Sequence, residues 1–143
     1  MSTRCTTHFL QYGKPVAIIY RHSDGYPEGA GVDLLSFLDE CAGLDDSRFG
    51  DASYLAAKYV VWLAGKFNEG PSKLEFLGVG VLMTDPGDIE FRHTVDCQVV
   101  GFAQSKRPTV KCYPVGDGTL GAQVKIPKQT TEVPVKQAKG KLR

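Results

Sequence analysis

Apolar and polar positions along this chain fall into two periods, and the switches between them mark the elements. Thr6 to Gln11 and Val16 to His22 flank the turn Tyr12-Gly13-Lys14-Pro15, which predicts a hairpin. The second arm is apolar on both faces until Arg21, so it is expected to be a central strand. From Val32 to Cys41 the period lengthens, with Leu34, Leu38 and Cys41 at helical spacing and Gly43 as a stop. A second helix is predicted from an N-cap at Asp51 or Ser53 to about Phe67, carrying Leu55, Tyr59 and Trp62 beside Ala56, Val60, Leu63 and Phe67. Only Lys58 and Lys66 are charged inside it, and so wide an apolar surface predicts deep packing across a sheet built around Val16 to Tyr20 and Leu74 to Met83.

After Gly70-Pro71 the pattern returns to strands. Leu74 to Met83 is expected to meet Asp88 to Asp96 across the reversal Thr84-Asp85-Pro86-Gly87, and two shorter runs follow, Gln98 to Gln104 and Thr109 to Val115. Two strands, two helices and a further run of strands with short connections predict an α+β fold. Its form is a single antiparallel sheet of about five or six strands with two helices packed on one face. Residues 1–120 are expected to form this one domain, and residues 121–143 a basic C-terminal extension containing Pro127, Pro134 and several lysines.

Composition narrows the classes of function. A chain of 143 residues, 42% hydrophobic and 23% charged, can bury about two-thirds of its unfolded surface and needs no disulfide or structural metal to fold. A net charge of +1 argues against a whole surface built for DNA, RNA or an anionic membrane. The charge is uneven, +4 from Asp117 onward and −3 before it, so nucleic acid remains a candidate partner for the tail, helped by Lys106, Arg107 and Lys111 beside Phe102 and Tyr113. No apolar run approaches the roughly 20 residues of a membrane span, and the polar start lacks a signal-peptide stretch; a cytoplasmic protein with no membrane partner is expected. Cys5, Cys41, Cys97 and Cys112 are scattered without a Cys-x-x-Cys pair and read as reduced thiols, with no metal site and no cofactor.

The segment with chemistry to offer is Tyr20-Arg21-His22-Ser23-Asp24-Gly25-Tyr26-Pro27-Glu28-Gly29-Ala30-Gly31. It leaves a strand, crosses a glycine-rich loop and enters a helix. In such a place free backbone N–H groups and a helix start favour an anion, and Arg21 or His22 can pair with phosphate or carboxylate. The candidate ligand-binding residues are Arg21, His22, Asp24, Tyr26 and Glu28. Arg92 joins them if its strand neighbours that of Arg21, since two arginines clamp an anion better than one. The glycine spacing fits neither a P-loop nor a dinucleotide fingerprint. The same residues also read as turn chemistry alone, Asp24-Gly25 and Tyr26-Pro27 being turn dipeptides. His22 and Asp24 stand too close in sequence to claim a catalytic dyad, so no catalytic residue is assigned; one histidine with Asp24 and Glu28 is a weak metal set. His93, alternating with Ile89, Phe91 and Val95, reads as a core or edge histidine, and His8 carries no functional weight.

The stretch from Tyr20 to Gly31 resembles a group of small bacteriophage and bacterial proteins that carry Tyr-x-His-x-Asp-Gly-Tyr-Pro-Glu-x-x-Gly after an early strand. Asp88 to Val95 is similar to a later strand of that group, except for His93 in place of an aromatic. The group has no established activity, so the resemblance implies an accessory protein, phage-encoded and in the host cytoplasm, and assigns no catalytic residue. The function expected from sequence is therefore a non-enzymatic binding protein, a phage or mobile-element accessory factor that engages a host protein or a small phosphorylated ligand through residues 20–31. The alternatives are a small enzyme acting on a phosphate ester at that loop and a nucleic-acid-associated protein using the basic tail. Oligomeric state is left open, with a homo-oligomer allowed.

Overall fold

Side-chain alternation on two strands organises the molecule. The computed structural model describes residues 2–67, 78–100 and 104–128. In β1 (Cys5–Gln11) and β2 (Lys14–Arg21), an antiparallel pair, Cys5, Thr7, Phe9, Ile19 and Arg21 point to one face, and Thr6, His8, Ile18 and Tyr20 to the other. The first face is covered by α1 (Val32–Ala42) and α2 (Ala52–Phe67). There Leu34, Phe37, Leu38, Leu55, Ala56, Tyr59 and Leu63 meet Phe9, Ile19, Val95 and Cys97 of the sheet. Tyr59 is the centre of this layer, its ring 5.6 Å from that of Phe9 and 5.2 Å from that of Phe37.

The predicted caps hold. Gly43 closes α1, and Asp51 caps α2 by accepting from the Tyr54 N–H through Oδ1 at 3.3 Å. A second cap comes from across the fold, where Gln11 Oε1 accepts the Ala52 N–H at 2.8 Å and its Nε2 donates to the Gly50 carbonyl at 3.1 Å. The end of β1 thereby fixes the start of α2.

The remaining strands are β3 (Val79–Leu82), β4 (Phe91–Cys97), β5 (Val99–Val100), β6 (Gln104–Ser105), β7 (Thr109–Gly116) and β8 (Thr119–Leu120). The main sheet has six strands in the order β3-β2-β1-β4-β7-β8, and β5 and β6 form a separate two-stranded ribbon. The fold is α+β with one principal sheet, as expected, but one pair in it, β1 with β4, is parallel.

That pair overturns the expected hairpin between Leu74–Met83 and Asp88–Asp96. β3 and β4 are separated by β2 and β1, and the segment 83–90 crosses the helix-free face from one to the other. Asp85 draws it there, accepting from the Thr6 hydroxyl at 2.7 Å, contacting His8 Nε2 at 2.9 Å and pairing with Arg92. Lower on the same face, Arg4 Nη1 holds Asp88 at 3.0 Å. Residues 74–77 of the expected strand lie outside the described residues, as does 129–143 of the expected extension.

The chain from Gly121 to Lys128 runs against the body. The Val124 N–H donates to the Cys112 carbonyl at 2.9 Å, and the side chain of Ile126 lies where a Cβ on Gly31 would meet it at 3.1 Å. Trp62 departs from the expected sheet packing. It is partly buried between the helices, stacked on Tyr59 and edge-on to Phe37, with its Nε1 donating to Glu40. Leu63 alongside it is fully buried, so Leu63→Ala is expected to lower unfolding free energy by about 2–5 kcal/mol in urea denaturation.

Candidate functional site

Each residue proposed from the sequence has a definite place, and the segment 20–31 does not gather them. Arg21 sits on the helix face and is 3% exposed. Its Nη1 contacts Asp33 Oδ2 at 2.8 Å in the first turn of α1, its Nε donates to the Ser23 carbonyl at 2.8 Å, and its guanidinium lies 4.7 Å from the Phe67 ring centre. Lys66 adds a second cation to Asp33 at 3.1 Å. The charge offered to a ligand is thus already compensated inside the protein.

Arg92 goes to the other face. Register sets it beside Thr6, whose partner on β2 is Tyr20, whereas Arg21 is level with Cys5 and Phe91. The two arginines therefore do not converge, and β1 lies between their strands. Burial pushes Asp85 up. Hydrogen bonds from His8 and Thr6 and the charges of His8 and Arg92 outweigh it and hold the carboxyl below its ordinary range. This cluster of Thr6, His8, Asp85 and Arg92 was not singled out in the sequence, where alternation alone gave His8 no role.

The loop itself is tightly packed. Asp24, at φ 56°, accepts the Ala30 N–H through its carbonyl at 2.8 Å and the Tyr26 hydroxyl through Oδ1 at 3.0 Å. A five-residue π-helical turn, Pro27–Gly31, leads directly into α1. Gly25 is required by close approach, since a Cβ there would stand 2.7 Å from Cys5 Cβ and 2.9 Å from the Thr3 carbonyl oxygen. The Gly25 N–H donates to that same Thr3 oxygen at 2.9 Å. Glu28 and His22 are exposed. His22 Nδ1 is 2.9 Å from the Tyr20 hydroxyl, and the ring borders a cleft of about 230 Å³ with Ser2, Arg4 and Glu90. Arg4 is already committed to Asp88 and Glu90.

His93 is fully buried on β4, its Nε2–H donating to the Gly25 carbonyl at 2.7 Å while Nδ1 has no partner among the described residues. Burial, aided by the charge of Arg21, pulls its pKa down to about 4 against the hydrogen bond to Gly25. The four cysteines are free and buried, with burial pushing Cys5, Cys97 and Cys112 up to about 12. No three His, Cys, Asp or Glu side chains are grouped to hold a metal ion among the described residues, and no helix there is long and apolar enough to cross a membrane.

A larger concavity than the His22 cleft lies elsewhere, on the outer side of the helix layer. A groove of about 620 Å³ runs between α1 and α2, lined by Phe37, Cys41, Leu44, Tyr54, Val61 and Trp62, with Glu40, Asp46, Arg48 and Lys58 among its charges. Leu44, Tyr54 and Val61 are 52%, 55% and 72% exposed. The signal in the sequence is the wide apolar surface of α2, which predicts deep packing across the sheet and does not separate the part that faces the sheet from the part that faces outward. Comparison of the chain with protein-family models, with curated proteins and with solved structures finds no match, so roles rest on this geometry.

Two outcomes test the loop's architecture. Arg21→Met, which leaves the partly buried Asp33 beside one lysine, is expected to cost about 2–4 kcal/mol, with part of it recovered in Arg21→Met/Asp33→Asn by the same urea measurement. His93 is neutral when folded and gains a proton in the unfolded chain below its ordinary value of 6.5. Its contribution to stability is therefore complete above that pH and is lost as pH falls toward 4, in total about 3 kcal/mol. The difference in unfolding free energy between the parent and His93→Gln, followed across that window, is expected to shrink accordingly.

Proposed function

We propose that this protein acts by binding another protein through the outer face of its helix layer, without catalysing a reaction. The observation that carries the reading is the groove between α1 and α2. It is an apolar, aromatic-lined surface of which Leu44, Tyr54 and Val61 are more than half exposed. Large apolar side chains left contiguous on a surface are costly in water and mark contact sites.

The fate of the cations supports a protein partner over a phosphorylated ligand. Arg21 is paired with Asp33, Arg92 with Asp85, and Arg4 with Asp88 and Glu90. An anion arriving at residues 20–31 would compete with carboxylates of the chain itself, of which Asp33 and Asp85 are partly buried.

The test is photo-crosslinking in producing cells, with benzoylphenylalanine at Val61 in the groove and, as control, at the exposed Val16 of β2, which does not line the groove. Discrete protein adducts are expected from position 61 and not from position 16. Equal or absent yields at the two positions would overturn the reading.

A further inference from the structure

We infer that the partner seated in the α1–α2 groove is a second copy of this chain, with its α2 lying antiparallel against the first; the inference rests on the reading of the groove as a protein-binding face. The charge pattern is the first reason. A patch used by both members of a two-fold pair must be complementary to itself and therefore carry both signs. This one does, with Glu40 and Asp46 on the side of α1 and its following loop and Lys58 on the side of α2. Arg48 is held by Asp46 at 2.8 Å and lies 3.8 Å from Asp51, whereas Lys58 has no carboxylate partner among the described residues. A uniformly basic or acidic partner would leave one sign of this rim unanswered. A two-fold copy brings the Lys58 of each chain to the acidic side of the other.

The exposed side of α2 supplies the second reason. Tyr54, Ala57, Val61 and Gly65 are exposed positions three to four residues apart and form a single stripe along the helix. Antiparallel packing about the middle of this stripe sets the largest member, Tyr54, opposite the smallest, Gly65, and Val61 opposite Ala57, in both directions at once. Gly65 is otherwise unexplained. Among the described residues nothing lies within 4 Å of where its Cβ would stand, so their packing has no need of a glycine there, and glycine is a poor helix former. A notch kept open on an exposed helix at the expense of helix propensity fits a side chain arriving from outside.

Sedimentation equilibrium of the full chain, over a wide concentration range, decides the matter. The expected result is reversible association to twice the 15.6 kDa of one chain. Val61→Asp is expected to raise the dissociation constant by about tenfold or more, and Val16→Asp to leave it unchanged. Gly65→Gln is the sharper variant. It favours the helix within one chain and fills the notch between two, so it is expected to hold or raise the melting temperature while weakening the dimer. A chain that stays monomeric throughout, or a dimer indifferent to both groove variants, overturns the inference. If the monomeric chain still crosslinks from Val61 to a different polypeptide, only the identity of the partner falls; if position 61 crosslinks nothing, the reading of the groove falls with it.

Discussion

A guanidinium taken out of water has to be compensated where it lies, because the cost of an unpaired buried charge exceeds what most single contacts return. The placement of Arg21 at the end of β2, under the helices, therefore constrains everything around it. Asp33 must stand in the first turn of α1, Ser23 must present its carbonyl, and Phe67 must reach the guanidinium from the end of α2. Sheet, loop and both helices meet at this one side chain. The loop from His22 to Gly31 is consequently tied into the fold through its backbone, the Ser23 carbonyl accepting from Arg21, while the side chains of His22, Asp24, Tyr26 and Glu28 stay exposed. His93 ties the same loop from β4 by holding the Gly25 carbonyl.

On the other face a single carboxylate plays the corresponding part. Asp85 receives Thr6 and His8 from β1 and Arg92 from β4, and these are the two strands that run parallel. A parallel pair needs a crossover, and with no helix among the described residues on this side the connection is a bare stretch of chain laid across the sheet. Its polar groups need partners that the outward-facing positions of β1 and β4 provide. The helix-free face is thus partly covered by the chain's own crossover, while the helix layer keeps its outer groove open.

What the sequence made legible was local. Both helices, their caps at Asp51 and Gly43, the β1–β2 hairpin and the α+β class follow from spacing and turn chemistry within a few residues. The β3–β4 connection did not, because Thr84-Asp85-Pro86-Gly87 has the chemistry of any reversal and nothing in those four residues says whether the next strand pairs beside the last or two strands away. The destination of Arg21 was hidden for a related reason. Alternation put it on a buried strand, but its partner Asp33 lies twelve positions on, and a strand-to-helix loop reads the same whether its cation faces inward or outward. The groove was half legible: the apolar circumference of α2 was plain, yet periodicity cannot say which part of it the chain itself covers.

The loop at residues 22–31 is gripped by the two ends of the described chain, by Thr3 at Gly25 and by Ile126 at Gly31. This arrangement dictates an order of events during synthesis. The hairpin and the two helices can form as soon as their own residues leave the ribosome, but β1 waits unpaired on one side until β4 emerges, and the grip of Ile126 closes only when nearly the whole domain has been made. Until then Phe9 and the apolar side of α2 lack the cover that β4 gives them in the finished core.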